Sequence, residues 1–400
     1  MTGLAVLGLG GSIDYELDWD VARLEAAIAE LDIVSLEDSP PLRIDSERAL
    51  LLSILTHLRD GLGGEHFVET PDIIEKFSTR FTYRIALGGT AVRAALTMSD
   101  LGIRSTVHLV SIDNNVRRLL PSNINFISSA QKDSLDPHVI IQYPAGACVR
   151  IGGGMVRSTR ANRLIYPSDQ PNRYLVLSDQ LPEVLSRAQV FLISGLNAIQ
   201  DRDILDERLA QIVVAMESLP ATAVVLYEDA AFHEPAFSWI VRDALAPHSD
   251  FFSLNEDELV EALGHPVDLL DPADVATAVS KLRTRVGVPF LLLHSRYYAL
   301  AHGVQPWSVR SVLEAGVAAA SARYVFGDLA RSEDVSALSL HGQRSVSGQR
   351  AVEQIEALGS FCGVPAFDLQ NTMCPTTIGL GDAFVGGAVA ALLQCPRPGV

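Results

Sequence analysis

Four hundred residues, 48% of them apolar, are enough to bury one large core and a smaller second one, which excludes a disordered or fibrous chain. Acids outnumber bases 48 to 31, and the resulting net charge of -17 argues against nucleic acid as a partner, because phosphate-backbone binding needs a surplus of cations. No basic start runs into a sustained apolar segment and no stretch reaches the ~18 apolar residues of a membrane span, so a soluble cytoplasmic protein without a membrane partner is expected. Cys148, Cys362, Cys374 and Cys395 show neither CxxC nor Cys/His ligand spacing and are read as ordinary thiols.

In chain order, residues 4–9 read as a buried strand, and the glycine-rich run Gly8-Leu9-Gly10-Gly11-Ser12-Ile13-Asp14 follows it. That run fails as a dinucleotide fingerprint, because Ile13 stands where the third glycine belongs and no convincing helix follows. Two acidic amphipathic segments, 19–32 and 46–61, and alternating runs at 81–86 and 139–143 make the region 14–173 less regular. Between the runs, Leu87-Gly88-Gly89-Thr90-Ala91 ends a strand and opens a helix over 91–100. Further on, short apolar strands at 190–193, 223–227 and 290–293 alternate with helices over 202–217, 272–286 and 309–326. Such alternation predicts an α/β fold, a mostly parallel sheet covered on both faces, with ligands at the carboxyl ends of its strands. The Ser- and Gly-rich stretch 336–349 is the best candidate for a mobile surface loop.

The chemistry concentrates near residue 380. Thr377-Ile378-Gly379-Leu380-Gly381-Asp382-Ala383-Phe384 runs into an apolar helix, giving a helix N-terminus whose free N–H groups can hold an anion. A carboxylate there would repel a phosphate held for binding alone, but it suits a general base that takes a proton from an attacking hydroxyl. Phosphoryl transfer to an alcohol follows from that pairing. Asp382 as a plain helix cap is the competing reading. Asp14, after the first strand, is a candidate acceptor for two polyol hydroxyls, and the turn at Gly88 and Gly89 allows a ligand to approach the backbone closely.

Taken in order, Gly10-Gly11-Ser12-Ile13-Asp14, Gly88-Gly89-Thr90-Ala91, Asn255-Glu256-Asp257-Glu258 and Gly379-Leu380-Gly381-Asp382 resemble the signature of the ribokinase superfamily. Arg160-Ala161-Asn162-Arg163-Leu164-Ile165, Phe191-Leu192-Ile193-Ser194-Gly195-Leu196-Asn197, Leu293-His294-Ser295 and residues 316–327 narrow the resemblance to the ADP-dependent glucokinase and phosphofructokinase family, over about residues 4–393. It implies a ribokinase-like fold: a large nucleotide-binding α/β domain (1–13, 86–117 and 174–400) and a discontinuous sugar-binding lid (14–85 and 118–173).

It also implies roles. Asp382 would be the base, with the backbone of Gly379, Leu380 and Gly381 as anion hole. Asn255 and Glu258 match the family's Asn-x-x-Glu, which helps hold Mg2+ through water, and Glu228 looks like the acid of a second metal motif, His-x-Glu. Asn255 as a helix cap and Glu258 as a solvated residue are the plain alternatives. Asp14, Gly88 and Gly89 would contact the sugar. The nucleotide, ADP or ATP, would lie against 317–324, beginning at Val317, and near His294, with Arg163 at its terminal phosphate or, equally, in a lid salt bridge. Two departures stand out: Leu226 occupies the position of the metal motif's His, and Val92-Arg93 replaces residues that are usually small or amide-bearing.

Arg150, Arg157, Arg160, Arg163 and Arg173 crowd one stretch of an acidic chain, interrupted by Gly152-Gly153-Gly154. Guanidinium forks suit phosphate oxygens, so Arg150 and Arg157 are candidate contacts to a sugar phosphate, against a plain solvated loop. The leading expectation is a Mg2+-dependent kinase moving a phosphoryl group from ADP to glucose or fructose 6-phosphate. An ATP-dependent sugar or nucleoside kinase and a non-catalytic sugar- or nucleotide-binding protein stay open. Either a monomer or a homodimer fits.

Overall fold

The computed structural model describes residues 4–370, 372 and 375–394; Cys374 and Cys395 lie outside them, while Cys148 is half-buried and Cys362 buried, both as free thiols. A nine-stranded sheet runs in the order Phe361–Pro365, Tyr298–Gly303, Phe290–His294, Phe251–Asn255, Val224–Glu228, Val190–Ile193, Ala5–Gly8, Ser105–Leu109 and Ile124–Ser128. Its pairings are parallel except the two made by Tyr298–Gly303. Consecutive residues of the central strands go to opposite faces: Leu7, Leu192, Leu226 and Leu292 enter one apolar cluster, and Val6, Phe191, Ile193, Val225 and Leu291 the other. A sheet buried on both sides explains why these strands are continuously apolar.

A second, five-stranded sheet runs in the order Gly64–Glu65, Asn162–Tyr166, Pro137–Tyr143, Ser12–Leu17 and Tyr83–Gly88. Tyr15, Leu17, Val139, Ile141, Tyr143, Leu164 and Tyr166 join the first apolar cluster together with residues of the helices Val21–Glu30, Glu47–Asp60 and Pro71–Ser78. Period two then sends Asp14, Glu16, His138, Gln142 and Arg163 to the opposite face, a placement that the registers confirm by setting Asp14 beside His138 and Gln142 beside Arg163. The segment 46–61 forms its helix between an Ser46 cap on Ala49 N and Gly61 in the left-handed region.

Three expectations shift. Ile124–Ser128, inside the span 118–173 assigned to the lid, pairs with Ser105–Leu109 in the large sheet, and Ala86 and Gly88 pair with Asp14 and Ser12 in the small one. Asp14 stands within the strand Ser12–Leu17 of the second sheet rather than at the C-terminal edge of the first strand. Most of 336–349 is helical, in Ser332–His341 and Val346–Glu356, because Val335 and Leu338 pack on the core and Ser345 caps Gly348 N.

Behind the strand Val224–Glu228, the fully buried Arg242 pairs with Asp229 at 2.7 Å and with Glu261, while Tyr227 donates to Asp229 at 2.9 Å. Burial lifts the Asp229 carboxyl to about 6 against the pull of Arg242. Removing the cation leaves a buried carboxylate without its counter-charge. Arg242→Met is therefore expected to cost about 3–5 kcal/mol in urea unfolding; a loss under about 1 kcal/mol would show that the pair is dispensable.

Candidate active site

Gly379 initiates the helix Leu380–Leu392 with φ 68°, the left-handed region that a residue with a side chain enters only under strain. Its position is also crowded: a Cβ there would stand 3.0 Å from both Arg323 Nε and Arg93 Cδ. Asp382 lies in the first turn of this helix, at its positive end. Arg323 Nε donates to the Ile378 carbonyl at 2.7 Å, and Gln142 of the five-stranded sheet donates to Pro375 O and accepts from Thr377 N at 2.9 Å. The turn is thus clamped from both domains.

Asp14 faces this turn from the small sheet. It is 3% exposed, accepts from Ser12 Oγ at 2.8 Å and from Arg93 Nη2 at 2.7 Å, and has His138 Nδ1 at 3.8 Å. A Cβ on Gly88 would strike both Asp14 oxygens and Ser12 Oγ, so only glycine leaves that carboxylate its place. Gly89 carries φ 86° and starts the helix Thr90–Asp100. His138 Nε2 bonds Asp169 at 2.9 Å, and Asn172 joins Asp169 to the Gly11 carbonyl. Burial works against a charged His138, but the hydrogen bond and charge of Asp169, with Asp14 and Glu65, raise it to about 9. Sequence reading missed His138, Asp169 and Asn172; the pairing of Asp169 with Asn172 looks in sequence like an ordinary helix start, which it also is.

Glu228 ends its strand and Glu258 lies in the first turn of the helix that follows the neighbouring strand, close enough that the Glu228 charge, after burial, pushes the Glu258 carboxyl well above the usual range. Asn255 and Glu258 form a reciprocal capping box on the helix Glu256–Leu263, so the cap alternative is realised. Glu228 Oε2 is buried without a partner, while Oε1 meets His294 Nε2 at 2.9 Å. His294 thus gives Glu228 the polar neighbour that the buried Leu226 cannot. The same imidazole stacks on Phe384 at 4.7 Å and lies 3.3 Å from where a Gly381 Cβ would be, joining this pair to the Gly379–Asp382 turn. Hard carboxylate oxygens with one orphaned atom fit a hydrated Mg2+. Among the described residues no group of three or more His, Cys, Asp or Glu could hold a metal ion directly.

The remaining candidates scatter. Arg163 stands beside Gln142 on the face of the small sheet opposite its apolar cluster. Arg150 and Arg157 do not converge on it: they lie on the hairpin Cys148–Ile151 and Gly154–Arg157, and Arg150 binds Glu25 of the helix Val21–Glu30, on the covered side of the sheet. Arg173 instead lies over the Phe67 ring. Val317 is a core residue, 6% exposed, in the cluster that also holds Phe384, and offers little side chain to a nucleotide.

No helix among the described residues is long and apolar enough to cross a membrane. The chain matches the ADP-specific phosphofructokinase/glucokinase conserved region over residues 5–390. It is 24% identical over 368 residues to the ADP-dependent glucose/glucosamine kinase of Pyrococcus furiosus, covering 82% of this chain and 79% of that one. Its fold is similar to a phosphofructokinase from Pyrococcus horikoshii solved with AMP (TM-score 0.76, 15% identity, 98% of each chain). It is similarly close to an ADP-dependent kinase in complex with fructose-6-phosphate and ADPβS (0.75, 17%, 99% of this chain and 94% of that one). The resemblance read from Gly379–Asp382 and its companion motifs therefore holds over nearly the whole length: the chain belongs to the ADP-specific phosphofructokinase/glucokinase family and is a carbohydrate kinase.

Proposed function

We propose that this kinase transfers the terminal phosphoryl group of ADP to a hydroxyl of glucose or fructose 6-phosphate, with Mg2+ and with Asp382 as general base. The observation that carries the reading is the placement of Asp382 on the positive end of a helix, behind a glycine turn and opposite the buried Asp14. Asp14, His138, Gly88 and Gly89 would hold the sugar, and Asp382 would take the proton as the hydroxyl oxygen bonds to phosphorus. The bridging P–O bond then breaks and AMP leaves. Backbone N–H groups of Gly379, Leu380 and Gly381 face the charge in transit. Glu228 and Glu258, with Asn255 as cap, would hold hydrated Mg2+, which supplies charge neutralisation on the nucleotide phosphates when bound. Arg163, beside Gln142 on the small sheet, would meet the nucleotide's terminal phosphate, and closing the small sheet over the turn would exclude water.

The binding of Arg150 to Glu25 removes the local argument for a sugar phosphate there, so the acceptor is decided by assay. Coupled transfer with Mg2+, crossing ADP and ATP against glucose, fructose 6-phosphate and other sugars, is expected to give turnover with ADP; transfer with ATP alone, or none, overturns the proposal. Asp382→Asn should lower kcat by about 10²–10⁴-fold while ADP still binds in calorimetry, and wild-type turnover in that variant would reject the base. Glu228→Gln should raise the Mg2+ concentration needed for half-maximal rate; an unchanged requirement would place the metal elsewhere.

His138 predicts a pH dependence of stability. A histidine raised from 6.5 to about 9 contributes its full stabilisation below pH 6.5 and loses it as pH climbs through 9. Melting temperature should fall across pH 6.5–9.5, and more steeply in wild type than in His138→Gln. Parallel slopes would dismiss the assignment.

A further inference from the structure

Arg93 stands in a helix whose neighbours Ala91, Val92, Ala94 and Ala95 are all within 2% of full burial, and it is itself only 5% exposed. A guanidinium in such surroundings is retained only where counter-charges are held close to it. One nitrogen, Nη2, makes both of its ion pairs, to Asp14 at 2.7 Å and Glu16 at 3.1 Å, both on the five-stranded sheet. The rest of the group points the other way: Cδ and Nη1 are what a Cβ on Gly379 would meet, at 3.0 and 3.3 Å, and the charge of Asp382 acts on it.

Other charges close the circuit around the turn. Arg323 holds Ile378 O and pairs with Asp328 at 2.8 Å; Asp328 pairs with Arg84, and Arg84 with Glu16, which returns to Arg93. Arg323 Nη2 is buried with no partner. Glu16, Arg84 and Asp14 belong to the small sheet, whereas Arg93, Arg323 and Asp328 belong to elements around the large one. The ring therefore crosses between the two domains at the glycine that shapes the transfer site.

We propose that Arg93 is a positioning residue for phosphoryl transfer, tying the sugar-side carboxylate Asp14 to the Gly379–Asp382 turn so that base and acceptor are held in one geometry. The inference rests on the kinase reading above and assigns to Arg93 an effect on kcat rather than on nucleotide affinity. A misplacement of about 1 Å at a reacting centre costs on the order of 10²-fold in rate. Arg93→Met should show a loss of that order in kcat, with the ADP dissociation constant within about threefold of wild type. Arg93→Lys should recover part of the rate, and added ethylguanidinium should raise kcat in the Met variant.

Arg93→Met also strands Asp14 and Glu16 in the interior, so Arg93→Met/Glu16→Gln is the companion variant. In it the melting temperature is expected to recover while kcat stays low and still responds to ethylguanidinium. If kcat recovers together with the melting temperature, or if a folded Met variant keeps kcat within about threefold of wild type, Arg93 serves only to neutralise buried acids and the proposal fails. An active wild type with active variants removes this inference alone. A wild type without transfer on any donor and acceptor pair removes the kinase reading and this inference together.

Discussion

A charge withdrawn from water must have its counter-charge fixed in place, and at the junction of the two sheets that requirement falls on Arg93. Its guanidinium is enclosed by an apolar helix, so Asp14 and Glu16 must stay where Nη2 meets them, and the strand Ser12–Leu17 that carries them is held in turn. Gly88 has to be glycine because its neighbour Asp14 occupies the space of a side chain, and Gly379 has to be glycine because Arg93 and Arg323 crowd it. A single desolvated cation thus constrains the strand that carries Asp14, the Gly379–Asp382 turn and the relation of the two domains. The surrounding exposed pairs contribute much less each, since water screens them.

The strands of the large sheet were legible because burial on both faces leaves an unmistakable local record: Val190-Phe191-Leu192-Ile193 and Phe290-Leu291-Leu292-Leu293 have no polar side to show. The Gly379–Asp382 turn was legible for a related reason, since its glycines, its acid and its helix are contiguous. Groups assembled from distant parts of the chain left no such record. His138, Asp169 and Asn172 meet only once the small sheet pairs Asp14 with His138 and the chain returns beneath Gly11. The arginine-rich stretch misled for the converse reason: neighbours in sequence were sent to a strand of the small sheet, to a hairpin where Glu25 took Arg150, and to the short helix Gln170–Tyr174, where Arg173 lies over Phe67. The stretch 336–349 was misjudged because Ser345 acts as a helix cap there, and composition alone does not tell a cap from a loop residue.

Leu226 illustrates how a departure from a motif can be repaired in space. The supporting imidazole expected two residues before Glu228 is absent, yet His294, on the second strand over, reaches the same carboxylate and stacks on Phe384 of the helix Leu380–Leu392. A ligand shell is defined by which atoms converge, so a substitution within a linear motif does not by itself abolish it.

On the proposed reading, the charge distribution around the Gly379–Asp382 turn favours a particular kind of guest. On one side, Glu228 and Glu258 are buried near each other, with one carboxylate oxygen unpartnered and the Glu258 proton held tightly. On the other, a helix N-terminus and two guanidinium groups surround the turn before Asp382. A free anion would satisfy the second and be repelled by the first; a free cation would do the reverse. On the proposed reading, a polyphosphate carrying its own divalent cation would answer both at once, with Glu228 and Glu258 holding the hydrated metal and the glycine turn receiving the terminal phosphoryl group. In a chain with a net charge of -17, the helix N-terminus and the guanidinium groups of Arg93 and Arg323 at that turn would, on the proposed reading, be what lets a negatively charged nucleotide approach the one carboxylate that must act as a base.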